Sequence, residues 1–224
     1  MYKYFFKRLI DIILSSFAII ILFPLLIPVV IILLFTGENY VFYFQKRIGF
    51  KNKSFFIYKF ATMLKNSPKL GSGLHTRKND SRILSFGSFL RKSKINELPQ
   101  LFNILFGTMS IVGPRPLVDK TFEPYSEIVK KNIYNVKPGL TGIGSIIFRD
   151  EEDLLSKTNL PLDVFYKNEI SPFKGELELW YQKNLSLYTD IMIIIITAVT
   201  LFFPNNKFVY KVFKDLPKKK IKWK

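Results

Sequence analysis

The sequence predicts an α+β protein that is mostly helical, with an N-terminal membrane helix joined to a small domain outside the bilayer. Residues 12–35 carry no charged side chain and exceed the roughly 20 residues that a bilayer-crossing helix needs. Segments 41–47 and 54–60 have strand composition and flank a turn at 48–53, which predicts a β-hairpin. A second apolar run at 191–203 predicts another helix.

These features divide the chain into a membrane segment at 1–36, a cytosolic domain at 37–187, and an apolar helix with a basic tail at 188–224. The net charge of +17 suits either nucleic acid or an anionic membrane surface. The apolar segments account for the cations, and no nucleic-acid-binding motif is present, so we expect no nucleic-acid partner. Without cysteine there is no disulfide framework.

The N-terminal apolar run is interrupted by Pro24 and Pro28, which predict a bend because each lacks an N–H and clashes with the preceding turn. The run is longer than the core of a cleaved signal sequence. Basic flanks favour the cytoplasmic side of a membrane, and here both flanks are basic. A bent helix that enters and leaves one leaflet satisfies both flanks; the alternative is a kinked helix that crosses once. The flanking cations are Lys3, Lys7, Arg8, Lys46, Arg47, Lys51 and Lys53.

The C-terminal run at 191–203 is too short to span a bilayer comfortably. It is either a core helix or a helix that lies on the bilayer. The tail at 218–224 is basic and carries a Trp, so it either binds anionic headgroups or is solvated. Residues 65–81 form a loop that contains the single histidine, His75, which we expect to be exposed. One histidine without cysteine excludes a His/Cys metal site.

Residues 93–116, SKINELPQLFNILFGTMSIVGPRP, combine one carboxylate with several rigid and polar residues. Asn96 is a suitable N-cap, which would place Glu97 in the first turn of a helix that ends at Gly107. Helix starts favour anions, so a carboxylate there stays ionised and could hold Mg²⁺. The apolar face of this helix comprises Leu98, Leu101, Phe102 and Leu105.

Arg115 follows this helix between Pro114 and Pro116, which fix the backbone on either side of its guanidinium. Arginine suits bidentate phosphate contacts, and Arg91 supplies another cation upstream. The spacing indicates a phosphate-plus-metal site near a membrane. A capped helix followed by a proline turn and a surface arginine fits the same spacing.

The chain resembles the bacterial sugar transferases of the small monotopic phosphoglycosyl transferase type over nearly its whole length. The resemblance begins with Lys7-Arg8 before the membrane run and Pro24 within it. Further segments match in the family's order: 45–49 (QKRIG), 58–63 (YKFATM), 80–83 (DSRI), 89–92 (FLRK), 97–101 (ELPQL), 109–116 (MSIVGPRP) and 137–142 (KPGLTG).

This resemblance implies transfer of a sugar-1-phosphate from a UDP-sugar to a polyprenyl phosphate such as undecaprenyl phosphate, with release of UMP and dependence on Mg²⁺. It implies a re-entrant membrane helix, a cytosolic catalytic domain with a short β-hairpin and interfacial helices, and a place on the cytoplasmic face of the bacterial inner membrane. Anionic lipids and downstream glycosyltransferases are the expected partners. The implied phosphate- and nucleotide-binding residues are Lys59, Arg82, Arg91, Gln100, Arg115, Lys137 and Arg149, with Glu97 as the metal ligand and Asn96 beside it.

The chain departs from the family at Asn96, where the family has an aspartate that forms a covalent phosphosugar. An amide carries no charge and is a poor nucleophile. Three further departures change polar groups: Ala61 replaces an arginine, Thr108 an aspartate, and Ser145 a glutamine. Glu97 could serve as the nucleophile, or the prenyl phosphate could attack the β-phosphorus directly; an impaired homologue that acts as a scaffold or nucleotide-sugar binder is the alternative.

The acidic run 150–153 follows Arg149 and could line a sugar or nucleotide pocket. The N-terminal preference of helices for acids favours a solvated helix start instead. Tyr166, Tyr181 and Asp190 stand before the last apolar helix, and we expect them to be structural.

Overall fold

The computed structural model describes residues 2–67, 80–203 and 207–218; His75 and the tail from 219 onward lie outside them. The chain is mostly helical and contains one β-hairpin, as predicted. The strands are β1 (Phe42–Ile48), β2 (Ser54–Phe60), β3 (Ser110–Val112) and β4 (Gly139–Thr141). The helices are α1 (Lys7–Phe35), α2 (Ser85–Lys92), α3 (Gln100–Leu105), α4 (Asp119–Phe122), α5 (Glu127–Asn132), α6 (Ile143–Ile147), α7 (Glu151–Lys157), α8 (Leu162–Phe165), α9 (Ser171–Lys183), α10 (Leu187–Phe202) and α11 (Phe208–Val212).

The hairpin pairs β1 with β2 in antiparallel register, with Tyr43 opposite Lys59 and Gln45 opposite Ile57. Strand side chains alternate between the two faces of a sheet. Gln45, Arg47 and Lys59 therefore share the inner face.

A short parallel pair, β3 with β4, is absent from the sequence-based prediction. It brings the loop after β3 against residues 137–142, with Ser110 opposite Gly139. The backbones approach so closely that a Cβ atom on Gly139 would lie 2.1 Å from the nitrogen of Gly113. Glycine is therefore required at 139, because any side chain would collide with the neighbouring backbone.

Helix α1 runs without a break from Lys7 to Phe35, through both prolines. Within the described residues it is the one helix long and apolar enough to cross a membrane. One face of α1 packs against the domain along most of its length: Ile19 and Leu22 contact a cluster around Ile57, and Leu26 and Leu33 join a second cluster farther on. The opposite face is exposed and apolar, with Phe17, Ile20, Phe23, Ile27, Ile31 and Phe35 among its residues.

The N-terminal end of α1 is fastened by polar contacts. Lys7 is buried and its Nζ lies 2.5 Å from Oδ2 of Asp190 in α10. Asp11 accepts hydrogen bonds from Ser110 Oγ at 3.0 Å and from the Ile111 N–H at 2.9 Å. The sequence analysis counts Lys7 and Arg8 among the basic flank of the membrane run, and the structure directs Lys7 into the domain.

The main core lies under α5, α6, α9 and α10. Helix α10 begins at Leu187 rather than at 191, because the Ser186 hydroxyl caps it by accepting from the Thr189 N–H. Ile193 and Ile196 are buried, so α10 is a core helix on one face. Its other face exposes apolar residues, including Ile191, Ile195, Leu201 and Phe202.

Candidate active site

The turn that carries Asn96 and Glu97 is a tight helical turn, Ile95–Glu97, and α3 follows from Gln100. The predicted N-cap role of Asn96 is wrong. Pro99 has no N–H to donate to the Ile95 carbonyl, which is taken instead by the Leu98 N–H at 3.1 Å. Asn96 therefore lies inside the turn, and it is buried. The chain leaves α3 through Gly107 at φ +85°, as predicted for a glycine at that end.

Glu97 is the carboxylate at the centre of the candidate site. Its Oε1 lies 3.1 Å from Lys59 Nζ and 3.0 Å from Arg115 Nη2. Burial raises the pKa of Glu97, but the two cations outweigh it and hold this pKa well below its ordinary value. Glu97 is therefore ionised throughout the neutral range. The side chain of Arg115 is 38% exposed, so its guanidinium can still reach a ligand.

The inner face of the hairpin supplies the other cations. Burial lowers the pKa of Lys59 to about 8, while the charge on Glu97 opposes this shift. Arg47 donates to the Pro116 carbonyl at 3.0 Å and to Gln45 Oε1. Burial and the neighbouring Arg115 lower the pKa of Arg47 to about 10. The sequence analysis missed Arg47 as a site residue, although strand alternation already placed it on the face of Lys59.

Asn103 in α3 holds the hairpin at the distance that this ion cluster requires. Its Oδ1 accepts from the Tyr58 N–H at 2.9 Å, and its Nδ2 donates to the Phe56 carbonyl at 2.8 Å. A buried amide with both ends satisfied fixes two elements against each other. Lys59 follows Tyr58 directly, so this contact sets where its ammonium meets Glu97.

The backbone around Arg115 is held from several directions. The Tyr134 hydroxyl donates to the Arg115 carbonyl at 2.9 Å and accepts from the Leu117 N–H at 2.9 Å. The Gly139 N–H donates to the Pro114 carbonyl at 2.9 Å. With two prolines and these bonds, the segment presents its guanidinium from a fixed backbone.

Two oxygen atoms near this cluster lack hydrogen-bond partners among the described residues. They are Glu97 Oε2, which takes part in neither ion pair, and the buried Oδ1 of Asn96. Ionised carboxylate and amide oxygens are ligands that Mg²⁺ accepts, usually together with substrate phosphates. The described residues contain no group of three or more His, Cys, Asp or Glu suited to a metal. The donor set thus fits a divalent cation that depends on the substrate for most of its ligands.

Gln100 and Arg91 lie close to this cluster along the chain. Gln100 is buried as the first residue of α3. Arg91 is in the last turn of α2, which packs against the Ile95–Glu97 turn.

The structure places three other predicted cations elsewhere. Lys137 Nζ and the Arg8 guanidinium both approach Gly107, at the far end of α3, where Arg8 donates to the carbonyls of residues 104 and 105. Arg82 forms a two-point ion pair with Asp80, with its closest N–O distance at 2.5 Å. Arg149 donates to the Thr200 carbonyl in the last turn of α10.

The acidic run begins α7, consistent with a helix start. Glu151 is paired with Lys174 of α9 at 2.6 Å, so this acid is not simply solvated. Tyr181 and Asp190 form a buried hydrogen bond of 2.7 Å, and Tyr166 is also buried. The structural role expected for these three residues agrees with their burial.

Comparisons with known proteins place this chain in a family. Residues 2–204 match the family described as bacterial sugar transferase. The chain is 35% identical over 210 residues to the UDP-glucose:undecaprenyl-phosphate glucose-1-phosphate transferase of Klebsiella pneumoniae, covering 92% of this chain and 41% of that protein. It is 34% identical to the undecaprenyl-phosphate galactose phosphotransferase of Salmonella typhimurium, over 87% of this chain and 40% of that protein.

A shorter relative matches over most of both chains. The exopolysaccharide production protein ExoY of Sinorhizobium fredii is 33% identical, over 84% of this chain and 81% of its own length. By contrast, the chain spans about two fifths of the length of the first two relatives. The match to the family nevertheless covers nearly every element described above, so this chain belongs to the bacterial sugar transferase family.

Proposed function

We propose that this protein transfers a sugar-1-phosphate from a UDP-sugar to undecaprenyl phosphate or a similar polyprenyl phosphate and releases UMP. The observation that carries the proposal is the contact of Glu97 with Lys59 and Arg115, in which one carboxylate oxygen stays open. Relatives that match most of this chain are named for this reaction with glucose or galactose. The product would be the lipid-linked substrate of downstream glycosyltransferases in surface-glycan assembly.

The chain's own residues favour a direct displacement. An oxygen of the prenyl phosphate attacks the β-phosphorus of the UDP-sugar, and the bond from that phosphorus to the bridging oxygen breaks. UMP leaves with the bridging oxygen, and a prenyl-diphosphate sugar forms. The attacking phosphate is already an anion, so no general base is required. Asn96 cannot be the nucleophile, and Lys59 and Arg115 stabilise the negative charge of Glu97, which lowers the nucleophilicity of the whole carboxylate.

Arg115 and Lys59 bind and neutralise the phosphates in this proposal, while Arg47, Arg91 and Gln100 support them. Preorganised cations at a reacting phosphate stabilise charge where it develops. Mg²⁺ would be held by Glu97 and by oxygens of the diphosphate, and when bound it would neutralise part of the diphosphate charge.

The proposed membrane placement rests on the contacts that both ends of α1 make with the domain. A helix of 29 residues is roughly 43 Å long, enough to cross a bilayer. Lys7 is tied to Asp190, however, and Leu33 packs in a cluster with Phe60 and Leu90 of the same domain. A crossing helix would carry part of that domain into the bilayer. We therefore favour a helix that stays in one leaflet, on the cytoplasmic face of the bacterial inner membrane, with its exposed apolar face toward the lipid.

The test is an assay of the purified protein in detergent with Mg²⁺, undecaprenyl phosphate and a panel of UDP-sugars, with UMP as the readout. We expect UMP from at least one sugar, only when the prenyl phosphate is present, and without a phosphosugar attached to the protein. Mass spectrometry of the protein after incubation with the UDP-sugar alone checks the last point. An adduct on Glu97 would replace direct displacement with a covalent route.

The Asn96→Asp variant separates the active enzyme from an impaired homologue. If the parent releases no UMP with any sugar and Asn96→Asp does, the parent is a scaffold or nucleotide-sugar binder. If both release UMP, and the adduct forms only in the variant, direct displacement in the parent is supported.

A further inference from the structure

The outer face of the β-hairpin, opposite the cations of the candidate site, carries three exposed phenylalanines. Strand alternation places Phe42 and Phe44 of β1 on this face, together with Phe56 of β2. Their exposed fractions are 42%, 53% and 56%. Several large apolar side chains exposed on one face mark an interaction surface rather than scattered surface residues.

The rings of this face form a row that begins beside α1. Phe60 packs in the cluster that contains Leu26 and Leu33 of α1. Phe42 stacks on Phe60 with the ring centroids 5.6 Å apart, and the centroids of Phe42 and Phe44 are 6.4 Å apart. The aromatic row therefore starts at the packed face of α1 and extends along the hairpin into exposed positions.

The chain also joins this face to the exposed surface of α1. Leu34 and Phe35, the last two residues of α1, are 46% and 81% exposed. Only residues 36–41 separate them from Phe42 at the start of β1. The exposed apolar face of α1, which the proposed placement turns toward lipid, is thus followed directly by the aromatic face of the hairpin.

The charge of the hairpin favours an anionic partner. Residues 42–60 contain five Lys or Arg and no Asp or Glu. Lys51 and Lys53 are exposed at the turn between the strands. Aromatic side chains beside exposed cations are typical of segments that lie on an anionic bilayer. A second copy of the chain that met this face symmetrically would bring like charges together, which disfavours it as the occupant.

We propose that the outer aromatic face, formed by Phe42, Phe44 and Phe56, docks on the anionic surface of a lipid bilayer. The rings lie among the lipid headgroups, and Lys51 and Lys53 pair with the phosphates of those headgroups. The hairpin then gives the protein a second contact with the membrane, in addition to the exposed face of α1.

Docking of this face sets the distance between the candidate site and the lipid. Arg47 and Lys59 project from the opposite face of the same two strands. The side-chain layers on the two faces of a sheet lie roughly 10 Å apart. The site cations are therefore held close to the headgroups, where a prenyl phosphate carries its charge. This consequence rests on the function proposed above, whereas the docking itself does not.

The first measurement uses the absence of cysteine from the sequence, which lets one introduced cysteine carry a spin label. Phe44→Cys and Phe56→Cys are labelled in the full chain and placed in vesicles that contain phosphatidylglycerol. The control is Glu127→Cys, at a side chain of α5 that is 89% exposed. We expect the labels at 44 and 56 to collide with lipid-soluble oxygen. They should be at least about fivefold less accessible than the label at 127 to a polar nickel chelate, which apolar surroundings exclude.

Labels at 44 and 56 that meet the chelate as often as the label at 127 overturn the proposal. The same labels also test a second copy of the chain as the occupant. If a second copy covers this face, the labels at 44 approach each other and their spectra broaden by dipolar coupling. Broadening that disappears on dilution with unlabelled protein overturns the proposal. Shielding from the chelate without such broadening supports it.

The second measurement compares UMP release in vesicles with UMP release in detergent. Phe44→Ser combined with Phe56→Ser removes two of the docking rings. The ratio of the variant rate to the parent rate should fall about tenfold in vesicles, as for partial loss of the burial of two phenylalanines. In detergent, where no bilayer has to be met, the ratio should stay near one, which also shows that the variant folds.

An equal ratio in vesicles and in detergent overturns the link between docking and rate. Absence of UMP from the parent in both settings would contradict the proposed function, while the spin labels would still decide whether the aromatic face docks on lipid.

Discussion

Two carboxylates in this protein are paired with cations, Asp190 with one and Glu97 with two, yet their remaining hydrogen bonds differ. Asp190 Oδ2 accepts from Lys7 at 2.5 Å and from the Tyr2 hydroxyl at 2.5 Å, and its Oδ1 accepts from Tyr181 at 2.7 Å. Both oxygens are therefore occupied. Glu97 takes both of its cations on Oε1 and leaves Oε2 free among the described residues.

The difference separates an ion pair that holds the fold from one that can bind a ligand. A buried pair contributes to a defined structure when its hydrogen bonds are all made within the protein. An ionised group with an open oxygen and an exposed cation beside it can still accept a metal or a phosphate. The Oδ1 atom of Asn96 is buried and has no hydrogen-bond partner among the described residues, so its hydrogen bonding is incomplete, like that of Glu97.

The largest effect is expected from a substitution that breaks the ion pair between Asp190 and Lys7. Asp190→Asn leaves the buried ammonium of Lys7 without a charge partner, so the free energy of unfolding should fall by about 3–5 kcal/mol. Denaturant unfolding in detergent measures the change. Asp163→Asn is the control, because Asp163 is in an exposed pair with Lys120 and should matter little. Equal losses in both variants would contradict a structural role for the Lys7–Asp190 pair.

Breaking the contacts of Glu97 with Lys59 and Arg115 should affect activity rather than stability. Glu97→Gln removes the charge that orders Lys59 and Arg115, and we expect UMP release to fall by about 10²–10³-fold, as for loss of one preorganised charge contact. The free energy of unfolding should change less than in Asp190→Asn. Glu123→Gln, at an exposed pair, serves as the matched control. Activity within threefold of the parent would exclude Glu97 from the site.

The smallest effect comes from titrating Lys59. Its pKa is lowered to about 8 by burial, so the ammonium loses its charge as the pH rises through 8, and phosphate binding should weaken. UMP release should therefore decline about tenfold or less between pH 7.5 and pH 9, a size typical of one charged hydrogen bond. Lys59→Arg keeps its charge and should move the decline to higher pH. Lys46→Arg, on the exposed face of β1, should retain the parent profile; a shared midpoint in all three would exclude Lys59 as the titrating group.

The elements that the sequence predicts well are those with a local signal. The hairpin follows from alternation over 41–47 and 54–60, and α1 from its length of apolar residues. The pairing of β3 with β4 has no local signal, since each strand has three residues and depends on glycines far apart in the chain. Asn96 was misplaced as a cap because its side chain fits that role, while the missing N–H of Pro99 favoured a tighter turn.

The candidate site shows the same division. Glu97, Arg115 and Lys59 were predicted, and the structure brings them into contact. Lys137, Arg82 and Arg149 have equally suitable side chains, but Lys137 lies beside Arg8 of α1 near Gly107, Arg82 pairs with Asp80, and Arg149 donates to a carbonyl of α10. The positions of Lys137 and Arg149 depend on the packing of whole elements, which the sequence does not show locally.

The two-ended attachment of α1 bears on how a water-soluble version of this protein should be built. Deleting the first 36 residues would expose Ile57, Phe60 and Leu90, so one exposed apolar surface would replace another. It would also remove Lys7, the counter-ion of Asp190. Replacing only the exposed apolar side chains of α1, such as Phe17, Phe23, Ile27 and Ile31, with polar ones would leave the packed face intact. The N-terminal helix has the composition of a separate membrane anchor, but its contacts make it an integral part of the domain's packing.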